Sequence, residues 1–111
     1  MKFNPMILNI NVDDESFALD VPEELIKEVQ PILEEMDKEF DQGCQLGRFW
    51  VDKPSDEQRC QIAVNNIVNC MHTENKRMFY LMAAYILTKF PNIKAVTVNS
   101  ELEIHEIDIQ V

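Results

Sequence analysis

The residues of this chain whose chemistry reaches beyond packing are few: Cys44, Cys60, Cys70, His72, His105 and three arginines, the first two being Arg48 and Arg59. A shared metal ion is the first chemistry to test. Cys70 and His72 stand two apart, so on a helix they project about 200° from each other and could not hold one ion without unwinding it. Cys60 and Cys70 fall close to three helical turns apart, on one face but roughly 15 Å distant. Neither spacing resembles a zinc pattern. Buried thiols acting as small hydrophobes account for the cysteines better, so no metal and no cofactor is expected.

Nucleophilic catalysis is the second chemistry. Cys60 follows Arg59 near a helix N-terminus, which would lower the thiol pKa, with His72 or His105 as base. Against it, Cys60 lies on an apolar stripe, and no partner is specified by spacing. Carboxylates are plentiful, in Asp13-Asp14-Glu15, Glu23-Glu24, Glu34-Glu35 and Asp56-Glu57. None forms a calcium loop, and no glycine-rich phosphate loop is present. A solvated acidic helix face is the plain reading; the sharper one is a contact face for a basic partner, through Glu28, Glu34, Glu35 and Glu39.

The segment Gly43–Val51 is the least ordinary. It holds both glycines of the chain, its only tryptophan and its first arginine. Arg and Trp are the types most enriched at binding hot spots. Gln45, Arg48 and Trp50, together with Arg59, are therefore candidate contact residues. The competing reading is a helix–helix connector whose Phe49 and Trp50 cover the edge of the core.

The elements that must position these groups follow from periodicity. Met6, Leu8, Ile10 and Val12 alternate with other residues, then Phe17, Leu19 and Val21 do so again after Asp13–Ser16, which predicts an antiparallel hairpin. Asp20, Pro22 and Glu23 look like a helix start with Asp20 as cap. Leu25, Val29, Ile32, Leu33, Met36 and Phe40 continue at helical spacing, and Pro31 inside that stripe predicts a kink or two helices meeting. Gly43 is a natural residue to end it.

Ser55-Asp56-Glu57-Gln58 matches a capping box. Cys60, Ala63, Val64, Ile67 and Met71 mark the apolar face of the helix it opens, with an end near His72-Thr73. A further helix is expected from Glu74 to Phe90, stopped by Pro91. Its middle, Met78–Leu87, is apolar all round and should be buried on most sides. Ile93–Val98 reads as a strand. Leu102 and Ile104 share one phase, and Ile107, Ile109 and Val111 the other, which suggests a β-bulge or a change of partner near His105-Glu106.

The expected fold class is α+β, one domain over residues 1–111. A small antiparallel sheet, an N-terminal hairpin plus one or two C-terminal strands, packs against about three helices in the order ββααα-β(β). The 111 residues are 46% hydrophobic and 27% charged, a globular composition. Residues 13–41 carry twelve carboxylates against Lys27 and Lys38, which alone equals the chain's formal charge of −10. Nucleic acid would be repelled. The longest apolar run is about half a bilayer span, so no membrane is expected. An odd number of cysteines without a C-x-x-C pair points to a reducing compartment, and to the cytoplasm.

These observations favour a non-catalytic, acidic protein-interaction or regulatory module that self-associates and binds a protein partner of basic character. One alternative is a small enzyme or ligand-binding protein using residues 43–60. Another is an acidic mimic of nucleic acid that inhibits a DNA-binding protein.

Overall fold

The computed structural model describes residues 6–71, 73, 75–99, 101 and 103–111. Expectations placed on His72, on Glu74 as a helix start and on Leu102 lie outside these residues.

The N-terminal hairpin forms as the alternation predicts. Strand β1 (Met6–Val12) pairs antiparallel with β2 (Glu15–Val21) through a two-residue turn, Leu8 opposite Leu19 and Ile10 opposite Phe17. Asp13 takes a φ of +52° there, a left-handed conformation that Asp tolerates better than most residues. Val21 still pairs with Met6, so the chain turns helical only after Pro22. This corrects the expected cap: Asp20 belongs to the strand, and the helix has Pro22 at its N-cap with no side-chain bond.

The stripe interrupted by Pro31 is two helices, α1 (Glu23–Glu28) and α2 (Gln30–Phe40), meeting at Val29. Pro31 falls in the first turn of α2, where its missing N–H costs nothing. Helix α3 (Asp56–Cys70) opens on the predicted capping box, Ser55 accepting from the Gln58 amide at 3.2 Å while the Gln58 side chain accepts from Ser55 N at 2.9 Å. Helix α4 (Lys76–Lys89) is capped by Asn75. Its residues Met82–Leu87 are all buried, against α3, the sheet and α1. Leu8, Ile10, Val21, Val64, Ile67, Val96 and Ile86 complete a contiguous apolar cluster between helices and sheet.

The segment Gly43–Val51 is a two-stranded ribbon, β3 (Cys44–Leu46) and β4 (Phe49–Val51), where a simple connector was the competing expectation. The four-stranded sheet has the order β2-β1-β5-β6, with β5 (Ala95–Val98) and β6 (Asp108–Gln110). The α+β architecture is that expected, with the β3–β4 ribbon inserted between α2 and α3, but β5 lies parallel to β1, so the sheet is mixed rather than antiparallel. Periodicity reports which face a residue occupies; it carries nothing about a neighbour's direction. Here the short 90–94 connection fixes where β5 enters after α4 ends. The phase slip near His105 is a 3-10 turn (Ile104–Glu106) instead of a bulge. Gln61, buried on α3, holds it in place by donating to the carbonyls of His105 (3.0 Å) and Ile107 (2.9 Å).

Candidate functional site

The eight residues singled out in the sequence divide among three places. Gln45 and Trp50 face each other across β3–β4, and Arg48 stands in the turn that joins the strands. The ribbon is held by specific contacts. Gly43 has a φ of +101°, and a Cβ there would lie 2.7 Å from Trp50 Cζ2, so only glycine lets the indole cover this backbone. Trp50 Nε1 donates to Asp52 at 3.0 Å, and Gln45 Nε2 to the Gly47 carbonyl at 2.9 Å. Arg48 donates to Glu103 through Nε at 2.9 Å and through a second nitrogen. That bond holds the Glu103 carboxyl below the ordinary carboxylate range and raises Arg48. Phe49 meets His105 edge to face at 5.4 Å. Trp50 remains 61% exposed and Phe49 51%.

Arg59 is elsewhere and differently employed. Its Nε donates to the Pro54 carbonyl at 2.9 Å, its Nη1 to Asp37 at 3.0 Å and its Nη2 to Asp41 at 2.7 Å, with the guanidinium over the Phe40 ring. Asp37 also accepts from the Tyr85 hydroxyl at 2.5 Å and pairs with Lys89 Nζ at 2.7 Å. Burial alone would raise the Asp37 carboxyl, but hydrogen bonds from Lys89, Tyr85 and Arg59 outweigh it and hold it low. Burial opposes the Arg59 charge too, and its bonds to Asp41 and Asp37 overcome that, holding the guanidinium above its usual value. Tyr85 is pushed up by burial and by its bond to Asp37. This lock joins α2, α3 and α4. Arg59 therefore has its donors engaged within the chain and does not share a site with Arg48.

The lock was missed in the sequence, although a signal existed. Asp37 stands four residues after Leu33, on the inward stripe of α2, where a carboxylate is out of place unless paired. Nothing in the sequence named Tyr85 or Lys89 as its partners.

Glu28, Glu34, Glu35 and Glu39 are exposed. Glu35 makes a surface pair with Lys38 at 3.2 Å. The carboxylates do not form one continuous row, because Asp37 and Asp41 turn toward Arg59.

Cys60 is fully buried, and burial pushes its thiol up to about 12, with the nearby carboxylate of Asp56 adding to the effect. The expected lowering by Arg59 is overturned, because burial of the thiol dominates and the carboxylates of Asp56 and Asp37 add to it. At neutral pH the Cys60 thiolate is negligible.

Two apolar grooves flank the first half of α4. One, of about 620 Å³, lies between α4 and the α1–α2 pair and is lined by Leu25, Val29, Ile32, Lys76, Arg77, Tyr80 and Leu81. The other, of about 530 Å³, lies between α4 and β2, lined by Phe17, Leu19, Cys70, Met71, Asn75, Lys76, Phe79 and Tyr80. Among the described residues no helix is long and apolar enough to cross a membrane.

The fold and grooves define an α+β protein with concave apolar surfaces beside one helix. No protein-family model, curated protein or solved structure matches the chain.

Proposed function

We propose that the protein is a non-catalytic interaction module that self-associates through the groove between α4 and the α1–α2 pair. One observation carries this reading: the groove has an apolar floor with Lys76 and Arg77 on one side, facing two helices that carry exposed carboxylates. Lys76 and Arg77 stand on the α4 side. On the helices across the groove, Glu28 ends α1, and Glu35, which pairs with Lys38 at 3.2 Å, lies one turn beyond the exposed Ile32 on α2. A two-fold arrangement sets these carboxylates of one copy against Lys76 and Arg77 of the other, so the surface is self-complementary. Leu25, Val29, Ile32 and Leu81 supply apolar area to bury. The burial and raised pKa of Cys60 argue against the enzyme reading, and the interrupted row of carboxylates argues against mimicry of nucleic acid. The acidic face of Glu34 and Glu39, and the Arg48–Trp50 ribbon, are left as surfaces for a further protein partner.

Sedimentation of the chain at micromolar concentration tests the proposal. The expected species has twice the 13.0 kDa chain mass. Lys76→Glu with Arg77→Glu should dissociate it, and adding Glu28→Lys with Glu35→Lys should restore it. A 13.0 kDa species persisting at about 100 μM, a range where specific weak dimers already form, would remove the reading.

A further inference from the structure

The two edges of the sheet are built differently. Strand β6 closes one edge and is only three residues long, so it offers little to a passing strand. Strand β2 closes the other with seven residues. Its register with β1 is unbroken from Met6–Val21 to Val12–Glu15, so no bulge bends it away, and its sequence ESFALDV holds neither lysine nor proline. Among the described residues, most of the usual protections of an edge strand are missing.

Which main-chain groups face outward follows from the pairing. Val12 and Glu15 flank the turn, and the next amide, that of Asp13, donates in the opposite direction, to Val98 on β5 at 2.9 Å. Polar groups alternate along an antiparallel strand, so the even residues of β1 bond to β2 and the odd ones to β5. On β2, residues 15, 17, 19 and 21 therefore face β1. Ser16, Ala18 and Asp20 aim their N–H and C=O groups at the free edge. Beside this edge, on the helical face of the sheet, lies the groove of about 530 Å³. Burial falls along β2 from Val21, fully buried, through Leu19 to Phe17, 36% exposed. Another strand laid along the edge would place alternate side chains over Phe17 and Leu19, against Phe79 and Tyr80.

Charge selects the occupant. Asp14 and Glu15 stand at one end of the edge and Asp20 and Glu24 at the other, all exposed and without an ion pair among the described residues. A second copy is disfavoured at this edge: pairing β2 with itself about Ala18 puts Asp20 diagonal to Asp14 of the other copy, carboxylate against carboxylate. An extended segment with apolar alternation and basic ends fits both the groove and the acids. We infer that the free edge of β2 is a strand-addition site for an extended, basic-flanked peptide segment of another protein, bound through the main chain of Ser16, Ala18 and Asp20. The groove beside this edge shares Lys76 and Tyr80 with the helical groove proposed for self-association, but the main-chain groups of Ser16, Ala18 and Asp20 lie outside that groove, and the inference does not depend on it.

The probe is a short synthetic peptide of alternating valine and threonine with lysines at both ends, titrated against the full chain by fluorescence anisotropy. Binding is expected, weakening several-fold from low to physiological salt. Ala18→Pro should weaken it at least about 10-fold, because it removes an outward N–H that the fold does not use. In case that variant perturbs the fold, the same peptide N-methylated on one edge should lose affinity by a similar factor against the unaltered protein. No binding up to about 1 mM overturns the inference, as does equal binding of the N-methylated peptide or of a glutamate-flanked one. If Ala18→Pro abolishes self-association, the edge belongs to a second copy, which also overturns it. Sedimentation run in parallel separates the two proposals: a monomer that binds the peptide retains this site while ending the dimer reading.

Discussion

Arg59 and Arg48 both bind carboxylates with short, charge-assisted hydrogen bonds, yet they sit in opposite circumstances. The Arg59 side chain is 11% exposed and joins three helices through Asp37 and Asp41. The Arg48 side chain is 74% exposed and ties a two-stranded ribbon to Glu103. Where water is excluded, losing one partner strands the others without solvation; where water has access, it replaces the partner. The Arg59 pairs thus form a structural lock whose donors are engaged within the chain. The exposed pair stabilises little, because water can take the place of either partner. Residue type alone ranked the two arginines as equals. Burial separates them.

The largest effects calibrate the comparison against the apolar core. Ile86 and Met82 lie at 0% and 3% exposure in the middle of α4. Either changed to Ala should lose about 2–5 kcal/mol in urea unfolding, and a loss below about 0.5 kcal/mol at both would show that α4 is not central. Next comes the lock. Asp37→Ala leaves Lys89 and Arg59 short of a partner and should cost about 2–3 kcal/mol, below the full value for a buried pair because Asp37 is partly open to solvent. A negligible cost would place the lock with the surface pairs and erase the contrast.

Acid titration sharpens the contrast further. Asp37 is held below the ordinary carboxylate range when folded, so its stabilisation is complete above the unfolded pKa, at about pH 4–5, and is lost as pH falls through the folded value. Urea midpoints measured downward from pH 6 should fall less steeply in Asp37→Asn than in the parent. Glu103 is also held low, but by an exposed pair. Its share of the acid response should vanish in high salt while that of Asp37 persists. Equal salt sensitivity of the two would mean that burial does not distinguish them.

The smallest effects belong to the ribbon and the thiols. Arg48→Ala should leave the thermal midpoint within experimental error of the parent, and a clear drop would make the ribbon part of the core. In labelling by a thiol reagent under native conditions, Cys44 and Cys70, both half-buried, should react well before Cys60. Cys60 should react only on unfolding, and early modification would reopen the nucleophile reading.

Much of the architecture was legible in the sequence because it rests on local chemistry. The alternation of Met6–Val12 and Phe17–Val21, the break at Pro31, the Ser55–Gln58 capping box and the apolar run at Met78–Leu87 each depend on residues a few positions apart. Concentrated acidity over residues 13–41 was equally plain, and so was the oddity of Gly43–Val51, though not its ribbon form. Three matters were decided only by tertiary structure. The parallel pairing of β1 with β5 brings residues more than eighty positions apart into register, and side-chain periodicity is blind to strand direction. The lock assembles Asp37, Arg59, Tyr85 and Lys89 from three helices, and ion pairs of this kind leave no spacing signature. The grooves beside α4, and the free edge of β2, exist because elements end or diverge in space. A sequence specifies the apolar faces of its own elements through periodicity; which of those faces are covered, and by what, depends on how the elements meet.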